Sequence, residues 1–362
     1  MRLTVLSQVP PPIHGSTLMT TTLLRALQDS GHGIALVDRR FSRTIDEVGR
    51  FQLRKVGAAV SLAYRVARDA VRRRPQRVIL FLTCQPMSFI LDVISVAVYR
   101  LARRKIVFYI HTVGYRDLAR RGHGWRLLVR NVLGGTEPVV VLSSALKSDV
   151  EPWVAEARIS VIPNTADDTL PGPIRATAGS SPAVVFFSNL IPSKGPAEFI
   201  RMSRMVEARA PRARFILAGT PTSPEYQQEL ETLARVQGAQ NLRFAGAITD
   251  ERQKADLFSD TAVLVFPSLY PFEAQPLVVL EAMKAGIPVV AYDSGSVSDM
   301  VKSGVTGVVV PQGATSDLAE AVVSLLSSVE HHRTVAEAAQ EAYESTYSLS
   351  AFRANWEHAL KR

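Results

Sequence analysis

The feature that most constrains this chain is the punctuation of residues 262–291, AVLVFPSLYPFEAQPLVVLEAMKAGIPVVA. An apolar run over 262–266 stops at Pro267-Ser268, a helix is predicted to open near Pro276 and close at Gly286, and a second apolar run covers 287–291. Proline at the first helical position and glycine just past the last are the expected terminal signals. Strand, loop, helix and strand in this order make parallel strands with a right-handed crossover. The helix N-terminus then lies at the carboxyl end of a strand, where open α/β sheets bind ligands and backbone N–H groups favour a phosphate. Glu273 in the loop and Glu281 within the helix flank that point, where sugar hydroxyls could be read.

The same alternation runs along the chain. Valine-, isoleucine- and leucine-rich segments at 3–6, 34–38, 77–82, 105–111, 138–142 and 158–162 read as buried parallel strands. Helices are predicted over 16–29 and 57–73, the latter basic and amphipathic, and Ser143 or Ser144 is expected to cap a further helix. Residues 168–182 are rich in Pro, Gly, Ser and Thr and read as a linker. Beyond it, strands at 183–188, 214–218, 241–244, 262–266, 287–291 and 307–310 alternate with helices at 196–208, 224–236, 251–259, 276–286 and 316–328. A helical tail over 335–360 carries Phe352 and Trp356. A chain of 362 residues exceeds one ordinary α/β core. The expectation is two Rossmann-like doubly wound α/β domains facing an interdomain cleft, 1–167 and 183–345, with a C-terminal helix over about 346–362 packing back on the first.

Charge is divided unevenly. Residues 1–170 hold 25 Lys+Arg against 13 Asp+Glu, whereas residues 171–362 hold 17 against 20, so the net +9 belongs to the first half. Its basic residues are interleaved with Tyr64, Tyr99, Tyr115 and Trp125, a pattern suited to an anionic membrane surface or an acidic acceptor. No nucleic-acid-binding motif accompanies them, and no nucleic acid is expected as partner. One cysteine, Cys84, precludes an intramolecular disulfide and fits a reducing compartment. No secretory signal opens the sequence, and every apolar run falls short of the ~18 residues that span a bilayer. The expectation is a cytoplasmic protein, peripheral on the inner face of the membrane.

Glu273 and Glu281, followed by Ala282, Gly286 and Pro288-Val289, resemble the paired-glutamate signature of the retaining family 4 glycosyltransferases (glycosyl transferases group 1), which have the GT-B fold. Other family-like segments stand in the right order: 12–16 after the first strand, His111-Thr112, Ser143-Ser144, 162–164, 188–195, Gly219, 244–246 and 304–307. The resemblance covers nearly the whole chain and is strongest over 183–311. It implies that Glu281 accepts hydrogen bonds from the nucleotide's ribose, that Glu273 faces the donor sugar, and that backbone at Ala274, Gln275, Pro276 and Leu277 cradles sugar and phosphate. Lys194 resembles the family's pyrophosphate-binding lysine, His111 its histidine near the sugar hydroxyls. Gly15 and Ser16 fall in the loop before the first helix, and Gly219 follows a strand of the donor half. Two departures stand out. Asn189 occupies a position that usually carries an arginine, and Gln275-Pro276 stands where Phe-Gly is common.

The implied reaction is sugar transfer from a nucleotide diphosphate sugar to a saccharide or lipid-linked acceptor, with retained configuration, in polysaccharide or glycolipid assembly. The transferred group would be a hexosyl or N-acetylhexosaminyl unit. The chain has no Asp-x-Asp, no His/Cys cluster with metal spacing, no Gly-x-x-x-x-Gly-Lys-Ser/Thr loop and no Gly-x-Ser-x-Gly elbow. No cofactor and no essential metal are therefore expected, the nucleotide sugar being a co-substrate. A nucleotide-sugar 2-epimerase on the same architecture, or a non-catalytic nucleotide-sugar or glycan-binding module, remains the alternative.

Overall fold

The computed structural model describes residues 1–11, 14–39, 53–166, 181–248 and 250–361, of which 53–56 and 58 by their backbone alone. The chain divides into two compact units, Met1–Asn164 with Leu349–Arg362, and Thr165–Ser348. The linker expected at 168–182 falls almost wholly outside the described residues, as do Pro12 and Ile13 of the first loop.

The first unit runs β1 (Arg2–Ser7), α1 (Gly15–Asp29), β2 (Gly33–Asp38), α2 (Leu53–Arg68), β3 (Arg77–Leu82), α3 (Pro86–Leu101), β4 (Lys105–Ile110), α4 (Tyr115–Arg120), α5 (His123–Leu133), β5 (Val139–Val141) and β6 (Ile159–Val161). Its sheet is parallel, in the order β2-β1-β3-β4-β5-β6. Strands β3 and β5 are buried at every position, which is why they read as unbroken apolar runs.

The second unit runs β7 (Ala183–Phe187), α6 (Pro196–Glu207), β8 (Arg214–Ala218), α7 (Pro224–Gln237), β9 (Leu242–Gly246), α8 (Glu251–Ser259), β10 (Thr261–Phe266), α9 (Leu277–Lys284), β11 (Val289–Tyr292), α10 (Val297–Met300), β12 (Gly307–Val310), α11 (Thr315–Ser327) and α12 (Val329–Ala342). The parallel order β12-β11-β10-β7-β8-β9 is the doubly wound order with its switch point between β7 and β10. Phe186, Phe199 and Phe215 pack one face of this sheet, and Leu264, Leu280 and Met283 the other.

Three expectations need correction. The tail is not one helix: α12 passes into a π-helical turn, Tyr343–Tyr347, and the chain breaks at Ser348 (φ −60°, ψ 155°) before α13 (Leu349–Lys361). That extended residue is where the chain leaves the second unit for the first, and there Trp356 packs edge-on against Tyr109 of β4 at 4.8 Å. Neither Ser143 nor Ser144 caps an α-helix. A short 3-10 turn, Ala145–Asp149, follows instead, and Asp149 turns its carboxylate to the amides of Gly114, Tyr115 and Arg116 at the start of α4. Pro276 is the N-cap of α9 rather than its first residue, because its ψ of 122° holds it extended.

Candidate functional site

In the second unit the switch point gathers several of the residues singled out in the sequence. Lys194 ends a 3-10 turn (Pro192–Lys194) after β7, and Glu273 lies in the loop after β10, so the two flank the crevice between the central strands. Lys194 Nζ donates to Glu273 Oε2 at 2.5 Å, and Ser268 Oγ donates to the same oxygen at 2.9 Å. The ammonium also stands over the rings of Tyr270 and Phe266, at 4.9 and 5.6 Å from their centroids. Glu273 is 8% exposed and its partner ammonium is nearly as enclosed, so both charges are largely desolvated and rely on each other.

Close backbone contacts fix these loops. Gly195, with φ 78°, lies so close to Pro267 that a Cβ would sit 2.0 Å from its carbonyl oxygen. Gly295 at φ 60° presses equally on the glutamate loop, where a Cβ would meet Glu273 O at 2.3 Å and Ala274 O at 2.9 Å. The Ser296 amide donates to Ala274 O at 2.9 Å. Ala274 and Gln275 are buried, and Pro276 and Leu277 carry the chain into α9. Ser294 Oγ is buried with no hydrogen-bond partner among the described residues. Gly219, after β8, packs on Ser188 O, while Asn189 is exposed and its carbonyl accepts from the Ile191 amide.

Glu281 is buried within α9, and Lys254 Nζ of α8 lies 2.6 Å from its Oε1. Sequence reasoning missed Lys254, Ser268, Ser294 and Gly295. Of these only Gly295 left a sequence signal, a glycine between Ser294 and Ser296 just past a strand. The second unit thus brings Lys194, Glu273, Ala274 and Gln275 into one constellation, with Glu281 on the helix that follows.

In the first unit, Gly15 opens α1 behind the N-cap His14, whose Nδ1 is 3.1 Å from Ser16 Oγ. His111 follows β4, stacked on Phe81 at 4.9 Å and edge-on to Tyr109 at 4.1 Å. Burial, with a contribution from the Arg39 charge, lowers its pKa to about 3, so the ring is neutral at physiological pH. His111 Nε2, Tyr115 Oη and Ser143 Oγ are buried without hydrogen-bond partners among the described residues. All three follow β4 or β5, at the carboxyl rim of the sheet. Asp92, buried on α3, accepts from Arg39 at 2.5 Å and from the Thr83 amide at 3.0 Å, and burial, opposed by Arg39, raises its pKa to about 6. Among the described residues no group of three or more His, Cys, Asp or Glu is arranged to hold a metal ion.

Two family models match the chain in succession: "Glycosyltransferase Family 4" over residues 13–170 and "Glycosyl transferases group 1" over residues 174–342. Alpha-maltose-1-phosphate synthase of Mycolicibacterium smegmatis is 28% identical over 235 residues, which are 59% of this chain and 59% of that protein. Alpha-D-kanosaminyltransferase of Streptomyces kanamyceticus is 31% identical over 174 residues, 47% of this chain and 43% of the relative. The chain thus matches about three fifths or less of the length of these curated relatives. Among solved structures, a sucrose-phosphate synthase from Thermosynechococcus elongatus superposes with a TM-score of 0.77 at 18% identity, covering 100% of this chain and 98% of the other. The Anabaena protein HepE, in complex with UDP and glucose, gives 0.75 at 18% identity, with 100% and 99% coverage. With both models matched in order and two doubly wound units of the GT-B type, the chain belongs to the family 4 glycosyltransferases, glycosyl transferases group 1.

Proposed function

We propose that this protein transfers a hexosyl or N-acetylhexosaminyl group from a nucleotide diphosphate sugar to a saccharide or lipid-linked acceptor, with retention and without an essential metal, in polysaccharide or glycolipid assembly. The observation that carries the reading is the Lys194–Glu273 pair at the switch point, with Glu281 buried on the adjoining helix. In the proposed complex the second unit holds the donor. Lys194 and the N-terminus of α9 meet the pyrophosphate charge, Glu281 takes the ribose hydroxyls through a carboxylate oriented by Lys254, and Glu273 faces the sugar. The buried polar atoms of His111, Tyr115 and Ser143 suit sugar or acceptor hydroxyls, because a desolvated orphan gains most from a partner.

Glu273 is engaged by an ammonium and a hydroxyl, which lowers its competence as a nucleophile and favours front-side transfer. The bond from the anomeric carbon to the phosphate oxygen breaks as the acceptor oxygen bonds on the same face. The acceptor's proton passes to the departing phosphate, leaving a nucleoside diphosphate. The protein's part is positioning and charge stabilisation.

The test is release of nucleoside diphosphate from a panel of UDP- and GDP-sugars with an acceptor extract. Lys194→Ala is expected to lower kcat/KM about 100-fold, the scale of losing one charge-stabilising group, and Glu281→Gln to raise the donor KM. Wild-type parameters in both variants would overturn the site.

A further inference from the structure

The first unit carries a second basic feature on the opposite rim of its sheet. A cavity of about 610 Å³ opens at the amino ends of the strands, where Arg2, Arg77 and Lys105 begin β1, β3 and β4. Arg74, Arg103 and Arg104 line it from the ends of the preceding helices, and Lys361 from the end of α13. No acidic side chain lines the cavity, and none of these seven cations forms an ion pair among the described residues.

Helix ends alone do not account for this charge. Three helices finish nearby, and their carbonyl termini supply only about −0.5 each, against seven full positive charges. Arg77 is just 9% exposed yet has no side-chain hydrogen bond or ion pair among the described residues, and Arg104 Nε is buried without a partner. Arg74 and Arg103, which close the helices before β3 and β4 in left-handed conformations at φ 49° and 54°, both turn the chain into this cavity.

From this geometry we infer that the amino-terminal rim of the first unit is an anion site for a ligand bearing several phosphate groups. Guanidinium forks bind phosphate oxygens in pairs, and the volume exceeds what one phosphate fills. The site lies on the edge of the sheet away from the carboxyl rim and takes no part in the proposed transfer. A soluble polyphosphorylated molecule and a lipid phosphate headgroup offer the same chemistry.

The experiment titrates the full chain with sodium tripolyphosphate at ionic strength held constant with NaCl, read by thermal shift. Wild type is expected to show a saturable rise in Tm, weakened at least tenfold in apparent affinity by Arg103→Gln/Lys105→Gln, which changes exposed side chains, and by Arg104→Gln. Circular dichroism spectra and melts of the same variants, unchanged from wild type, establish that they fold. Lys194→Ala must retain the tripolyphosphate response, which separates this site from the donor pocket. Co-sedimentation with phosphatidylcholine vesicles with and without phosphatidic acid identifies a lipid source when the same variants lose phosphatidic-acid binding, and a soluble source when they lose only tripolyphosphate. A response equal in wild type and the rim variants, or abolished by Lys194→Ala, would overturn the inference.

Discussion

At the scale of the residue, Lys254 matters because it neutralises a carboxylate that has little access to water. Both members of its pair with Glu281 are nearly buried, at 13% and 7% side-chain exposure. Removing one partner of such a pair costs about 3–5 kcal/mol, because the other charge is stranded. Lys254→Met is therefore expected to lower unfolding free energy by that order in a urea titration, and to weaken nucleoside diphosphate binding; Lys254→Met/Glu281→Gln should recover much of the stability but not the binding. His111 and Asp92 contribute to the acid response of the first unit with opposite signs. His111, depressed to about 3, favours the folded state above its unfolded pKa near 6.5, and that contribution is lost as pH falls. Asp92, raised to about 6, works the other way: its contribution is present below an unfolded pKa of 3.8 and lost as pH rises through 6. Between pH 7 and 4.5 the histidine forfeits roughly 3 kcal/mol and the aspartate returns roughly 2 kcal/mol. Urea melts at the two pH values should show a small net loss for wild type, a larger one for Asp92→Asn, and a gain on acidification for His111→Phe, which keeps the stack on Phe81.

At the scale of the element, the loop between β10 and α9 takes its shape from the one between β11 and α10. Gly295 lies in a left-handed turn against Glu273 O and Ala274 O, so a single added methyl displaces the loop that carries Glu273. Gly295→Ala is expected to raise the donor KM and lower kcat while the fold persists at a cost of about 1–2 kcal/mol. Circular dichroism melts alongside initial-rate kinetics would check it, and unaltered kinetics would show that the contact does not govern the loop. The place of the paired glutamates was legible in the strand–loop–helix punctuation, whereas Lys194 stood out only through the family resemblance. Lys254 was not legible, since it reaches Glu281 from a separate helix that no local pattern places beside α9; Ser268 shares the loop of Glu273 but stands in no motif, and Gly295 marks a turn without revealing what that turn presses on.

At the scale of the whole molecule, the excess positive charge of the first half meets an exposed face. Val60, Tyr64 and Val71 follow the helical repeat of α2 and the turn beyond it at 66%, 63% and 62% exposure, among the exposed Arg65, Arg68 and Arg72. No helix among the described residues is long and apolar enough to cross a membrane. The peripheral contact expected from the sequence would give co-sedimentation with phosphatidylglycerol vesicles that falls severalfold between low and physiological salt. Val60→Glu/Tyr64→Glu should abolish it, and binding indifferent to both salt and substitution would overturn that expectation. By itself, the sequence determined the alternation of strands and helices, the two doubly wound units and the residues that open the glutamate loop. These follow from periodicity, terminal signals and motif order, all local to the chain. Only the tertiary structure decided that Lys194 closes on Glu273 and Lys254 on Glu281, that the last helix breaks at Ser348 to return Trp356 to β4, and that seven cations converge on one rim. Such pairings depend on strand order and on burial, through which charges far apart in sequence come to share one desolvated space.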